Sequence, residues 1–163
     1  MINLLPEPKR LKEEGGRTSP FGRIELNAAQ DKEAVFEVAQ MRFWNHTDIE
    51  ILDGAPGEGA LCLDVIASLE GVQAEEPEKL KTQGYELVIA ASGATLKYEQ
   101  RAGFVNGIPS LKLLRRKEEA GYTLPLCSIV DYPSRPVRAI APTFPAYAGY
   151  GRLGCDSQLR GDA

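Results

Sequence analysis

Histidine is nearly absent, and His46 is the only one in 163 residues. A multi-histidine metal centre is therefore excluded, and a Ser-His-Asp system could be built only around that one ring. Cysteine is scarce too. Cys62, Cys127 and Cys155 are widely spaced, odd in number and form no CxxC pair. They read as free thiols of a reducing compartment rather than as metal ligands or a disulfide framework. No basic excess exists, since 19 Lys and Arg face 23 Asp and Glu; nucleic acid is not an expected partner, because phosphate binding needs concentrated positive charge. No apolar run approaches a membrane span, so no membrane partner is expected. The opening Met1-Ile-Asn-Leu-Leu-Pro has neither a basic region nor a long apolar stretch, so it does not read as a secretion signal and a cytoplasmic location is expected.

What is present suits a folded domain: 43% hydrophobic residues can form a core, and 26% charged residues can cover it. "NLLPEPKRLKEEGG" (3–16) is an extended lead-in, and "FGRIELNA" (21–28) alternates as a half-buried strand does. "DKEAVFEVAQMRFW" (31–44) lacks Gly and Pro and puts Val35, Phe36, Ala39 and Phe43 on one helical face, with Asp31 as a cap. "IEILD" (49–53) and "LCLDVIASL" (61–69) flank a Gly/Pro turn and read as a hairpin, whereas "VQAEEPEKLKTQ" (72–83) reads as a polar, mobile loop. "GYELVIAASGATLKYEQ" (84–100) is the clearest hairpin, turning at Ser92-Gly93.

In "RAGFVNGIPSLKLLRRKEEAG" (101–121), Phe104, Ile108 and Leu111 recur at helical spacing. Gly103, Gly107 and Pro109 oppose the helix locally. Small residues so close together predict a helix pressed tightly against its neighbours; a helix starting only at Pro109 is the competing reading. "YTLPLCSIV" (122–130) is a last strand. The order predicts an α+β fold, a mostly antiparallel sheet with two helices packed on one face.

No residue set carries catalysis. "GAPGEG" (54–59) lacks the Lys-Ser/Thr of a phosphate loop and reads as a turn. "NHT" (45–47) and "RGD" (160–162) read as chance matches. Asp48, Glu50 and Asp53, and Glu75, Glu76 and Glu78, have no aromatic neighbours that would desolvate one acid and raise its pKa; they read as solvated surface acids. No catalytic residue, metal or cofactor is expected. A carbohydrate-binding or interaction module would need an aromatic platform, for which Phe144, Tyr147 and Tyr150 are the available cluster.

Four segments in order resemble a known family. Leu4-Leu5-Pro6-Glu7-Pro8 is similar to an "LLPxPxxL" opening, Gly84-Tyr85-Glu86-Leu87 to "GYxLxI", and Ala102-Gly103 with Gly107, Ser110-Leu111 and Leu114 to "AGxxxGxxTLxQL". Asp131-Tyr132-Pro133, Pro136 and Arg138 are similar to "IxDYPxFPxRG". Together they resemble, over roughly 2–139, the small N-terminal domain before the catalytic barrel of glycoside hydrolase family 20, the β-N-acetylhexosaminidases; related accessory domains occur in α-glucuronidases and α-N-acetylglucosaminidases. The resemblance implies an accessory domain at 1–131 and a linker with the start of a (β/α)8 barrel at 132–163. Pro133 and Pro136 would stiffen that linker.

The implied partner is that barrel, with carbohydrate reached only through it. Arg138 is the one implied substrate-binding residue, hydrogen-bonding sugar hydroxyls within the full barrel. A barrel needs about 250 residues, whereas 24 follow Ala139. The family's Asp-Glu pair, which works with the substrate's own acetamide as nucleophile, therefore has no counterpart here, and this chain alone is expected not to be an enzyme. Ala139 replaces the pattern's glycine and Thr143 a usual aspartate, which opens the question of another sugar.

Overall fold

The computed structural model describes residues 2, 4, 6–44, 49–54 and 57–134. Within them nine strands and three helices follow one another: β1 (Arg10–Arg17), β2 (Arg23–Ala28), α1 (Lys32–Trp44), β3 (Glu50–Asp53), β4 (Ala60–Ile66), α2 (Pro77–Gln83), β5 (Tyr85–Ala90), β6 (Gly93–Tyr98), α3 (Arg101–Leu114), β7 (Arg116–Glu118), β8 (Gly121–Thr123) and β9 (Pro125–Asp131). Seven strands form one sheet in the order β1-β9-β5-β6-β4-β2-β3, and β7 with β8 forms a small hairpin.

The α+β class is as expected. Antiparallel pairings are the majority, four (β1/β9, β5/β9, β5/β6, β7/β8) against three parallel ones (β2/β3, β2/β4, β4/β6). Two of the three parallel pairings arise from an excursion of the chain around β2. β2 leads through α1 to β3 on its one side, and the chain then recrosses β2 to lay β4 on the other. The expected hairpin between 49–53 and 61–69 is thus not formed, because β2 lies between its two arms and runs parallel to both. The connection is far shorter than the usual parallel crossover. It passes over β2 at Gly57, where a Cβ would meet the Arg23 guanidinium at 2.6 Å and the Glu25 carboxylate at 3.1 Å.

Helices α1 and α3 lie side by side on one face of the sheet, α1 against β2 and β3, α3 against β5 and β6. Helix α1 begins directly after Asp31, whose carbonyl accepts from the Val35 N–H at 2.9 Å, and it buries Val35, Val38 and Ala39. The strands beneath alternate as a half-buried sheet must. Leu87, Ile89, Leu96, Leu63 and Ile129 are buried under the helices. Their neighbours form a polar second face, with Glu86 paired to Lys97 at 3.2 Å and Asn27 donating to Asp64 at 2.9 Å.

Three local readings are refined. The lead-in becomes β1, bulged between Glu13 and Arg17 where Gly15 and Gly16 take φ of 76° and 83°. The 72–83 segment is not a loop throughout, because 77–83 forms α2, anchored by buried Leu80. The hairpin over 84–100 is present, with Ala90 opposite Gly93 across an Ala91-Ser92 turn. A second apolar cluster, Leu69, Leu80, Val130 and Tyr132 with Val72 and Ala74 against it, is separate from the main core. Among the described residues no helix is long and apolar enough to cross a membrane.

Candidate functional site

Helix α3 runs unbroken from Arg101 through Pro109 to Leu114, so the reading in which it begins at Pro109 is set aside. Its glycines face what the conflict in the sequence predicts. A Cβ on Gly103 would overlap the Gly84 carbonyl oxygen and touch Tyr98 Cβ at 3.2 Å. One on Gly107 would meet Leu96 Cδ1 at 2.6 Å and the Tyr85 ring at 3.1 Å. Helix and sheet approach here to backbone contact, so the Gly84-Tyr85 and Ala102–Gly107 segments interlock. Two hydrogen bonds join the same partners. Asn106 Nδ2 donates to the Gln83 carbonyl at 2.8 Å, and the Tyr85 and Ser110 hydroxyls share a bond of 2.5 Å.

Tyr85 pairs in register with Asp131, the last residue of β9. The chain therefore leaves the sheet beside α3. A groove of about 210 Å³ opens at this point, lined by Leu4, Pro6 and Pro8 from the N-terminal segment, Val105, Pro109 and Leu113 from α3, and Tyr132 and Pro133 from the exit, with Tyr85, Asn106, Ser110 and Asp131 supplying polar groups. The described parts of all four segments of the resemblance thus meet at one end of the sheet. The groove is smaller than the roughly 300–1,000 Å³ of sites that enclose a drug-sized ligand, and Leu113 on its rim is 64% exposed. Such a surface suits contact with polypeptide better than enclosure of a sugar.

The exit itself is held by two lysines that nothing in the sequence singled out. Lys9 donates its N–H to Asp131 Oδ1 at 3.4 Å and its ammonium to Ser134 Oγ at 2.8 Å, with Nζ 5.5 Å from the Tyr132 ring centroid. Lys79 of α2 donates to the Ser134 carbonyl at 3.4 Å and pairs with Glu76 one turn before it.

The acids behave as solvated side chains. Glu50, Asp53, Glu75, Glu76 and Glu78 are all exposed; Asp53 pairs with Lys32 at 2.9 Å and Glu78 with Lys81 at 3.9 Å. One buried carboxylate escaped sequence reasoning. Glu25, 6% exposed under the crossover, bonds Arg23 through Oε1 at 3.1 Å while its Oε2 has no partner. The Cys127 thiol is pushed up to about 11, first by burial and then by Glu13 and Glu14. That of Cys62 is raised by burial and by Asp64 and Glu25. Both are free thiols held protonated, without the cationic surroundings that activate cysteine. Among the described residues no group of three or more His, Cys, Asp or Glu could hold a metal. His46, Asp48, Arg138, Phe144, Tyr147, Tyr150, Cys155 and the 45–47 and 160–162 tripeptides lie outside the described residues.

Solved structures with this fold include the β-N-acetylhexosaminidase of Bacteroides fragilis, with a TM-score of 0.59 at 19% identity, matched over 80% of this chain and 25% of that one. The N-acetyl-β-hexosaminidase of Streptomyces plicatus gives 0.57 at 19% identity over 83% of this chain and 27% of that one. A family 20 exo-β-N-acetylglucosaminidase of Vibrio harveyi gives 0.54 at 18% over 80% and 19%. The chain thus spans about a quarter or less of the length of these relatives. No curated protein matches it in sequence. The family model described as glycosyl hydrolase family 20, domain 2, matches residues 1–132, from the proline-rich opening to the Tyr132 exit, and the chain belongs to that family.

Proposed function

We propose that this chain is the non-catalytic accessory part of a glycoside hydrolase related to β-N-acetylhexosaminidases. Residues 1–131 form the accessory domain, and 132–163 the linker and the beginning of a catalytic barrel. The domain packs against that barrel and positions its first strand, and the sugar is reached through the barrel, where Arg138 hydrogen-bonds substrate hydroxyls. The observation that carries this reading is the meeting of the four family segments around the apolar groove, at the point where the chain leaves the sheet. An enzyme domain would instead gather its chemistry there. Here the groove holds prolines, aliphatic side chains, the hydrogen-bonded Tyr85 and Ser110 hydroxyls and a single described acid, Asp131, which accepts from the Lys9 N–H, so no pair of carboxylates faces it among the described residues.

Purified 1–163 is expected to release no chromophore from an aryl N-acetyl-β-glucosaminide, whereas the natural gene product, read through beyond Ala163, is expected to do so. Turnover by 1–163 that persists after contaminating hydrolases are removed overturns the non-catalytic reading. A reading frame that carries no barrel-length continuation overturns the barrel.

A further inference from the structure

We propose that Lys9 and Lys79 are positioning residues which, with the small apolar cluster around Tyr132, clasp the exit and set the direction in which the following polypeptide leaves the domain. Where this concerns sugar binding it rests on the function proposed above; as a statement about the exit it stands alone.

The clasp is built from two segments remote in sequence. The N-terminal segment contributes Lys9, which touches Asp131, Tyr132 and Ser134. The segment between β4 and β5 contributes Leu69 and Leu80, which bury Tyr132 to 3% exposure, and Lys79, which takes the Ser134 carbonyl. Glu76, the residue before α2, pairs with Lys79. Every residue from Asp131 to Ser134 is thus held or, at Pro133, fixed in φ by its own ring.

Stability does not account for these contacts. Solvent-exposed lysine contacts contribute little to it, and the main core is closed without them, since the cluster they serve is a separate one. What they do fix is orientation. Ser134 would swing freely on one support, whereas two supports acting on its side chain and on its carbonyl determine the path of the backbone. Four residues on, even a fully extended chain puts Arg138 within about 14 Å of Ser134. An arm of that length, tilted by about 10°, would displace its far end by roughly 2 Å, and misplacements on the order of 1 Å are enough to cost binding geometry.

Methionine at both positions keeps side-chain length and removes the ammonium. In the 163-residue chain, Lys9→Met/Lys79→Met is expected to lower the NMR order parameter of the Ser134 amide from the rigid range near ~0.85 to below ~0.6. The amides of Leu87 and Ile129, and the control Lys12→Met, should stay unchanged. An unaltered Ser134 amide overturns the clasp; so does an equal fall at Leu87 and Ile129, which would make the lysines supports of the fold. In the natural gene product, assayed on an aryl N-acetyl-glucosaminide, the double variant is expected to raise KM on the order of tenfold while changing kcat much less, as uniform loss of binding does. Arg138→Ala is the reference. If it leaves KM unchanged, the sugar-binding reading fails and the Ser134 amide alone judges the clasp. If it raises KM and the lysine variant does not, the positioning role is overturned.

Discussion

A methyl group added to Gly103 would have to share space with the Gly84 carbonyl, a backbone atom that cannot turn aside, whereas one on Gly107 would press on Leu96 and Tyr85 side chains that can. Alanine raises intrinsic helix stability by about 1 kcal/mol over glycine, and overpacking costs about 1–3 kcal/mol or more. Gly103→Ala is therefore expected to lose about 2 kcal/mol net and Gly107→Ala distinctly less. Urea unfolding midpoints will check the order, and equal midpoints would contradict the close approach. This pair was legible before any coordinates. Glycines and proline inside an apolar 3.6-residue pattern have a cost that only tight packing repays. Lys9, Lys79 and Glu25 were not legible, since a charged side chain's partner across the fold leaves no trace in its local sequence.

Elements were read well where periodicity spans many residues and poorly where one residue decides. The β5/β6 hairpin follows from alternation, and α1 from a run free of Gly and Pro, although the face it buries is Val35, Val38 and Ala39, with the expected Phe36 only half-buried. Helix α2 does not, because seven residues cannot hold a helix alone and Leu80 is the one buried side chain that anchors it. Leu80→Ala should therefore release the element rather than merely leave a cavity. At about 2–4 kcal/mol for such a truncation, α2 is expected to open and trypsin to cut after Lys79 and Lys81 markedly faster. Unchanged cleavage there would show that contacts with α3 suffice to hold the helix. The crossover between β3 and β4 misled for a different reason. A short Gly/Pro connection between two apolar runs has the local chemistry of a hairpin, and only the pairing of β2 with both strands reveals that it goes over rather than around.

At the scale of the molecule, two clusters of unequal size predict two steps of opening. The large one joins sheet, α1 and α3; the small one joins Leu69, Val72, Ala74 and Leu80 to Val130 and Tyr132. Native-state hydrogen exchange is expected to show amides of α2 opening at a free energy well below that of Leu87, Leu96 and Ile129, as contiguous units of unequal stability do. A single shared opening energy would merge the clusters. The position of β9 has a consequence for biosynthesis. Of the seven strands of this sheet it is the last to be made, yet it lies inside the sheet between β1, the first of them, and β5. On a translating ribosome β1 therefore waits without its neighbour until residues near 131 have cleared the exit tunnel. The charges along Arg10–Arg17 would keep that waiting edge from pairing with other nascent chains.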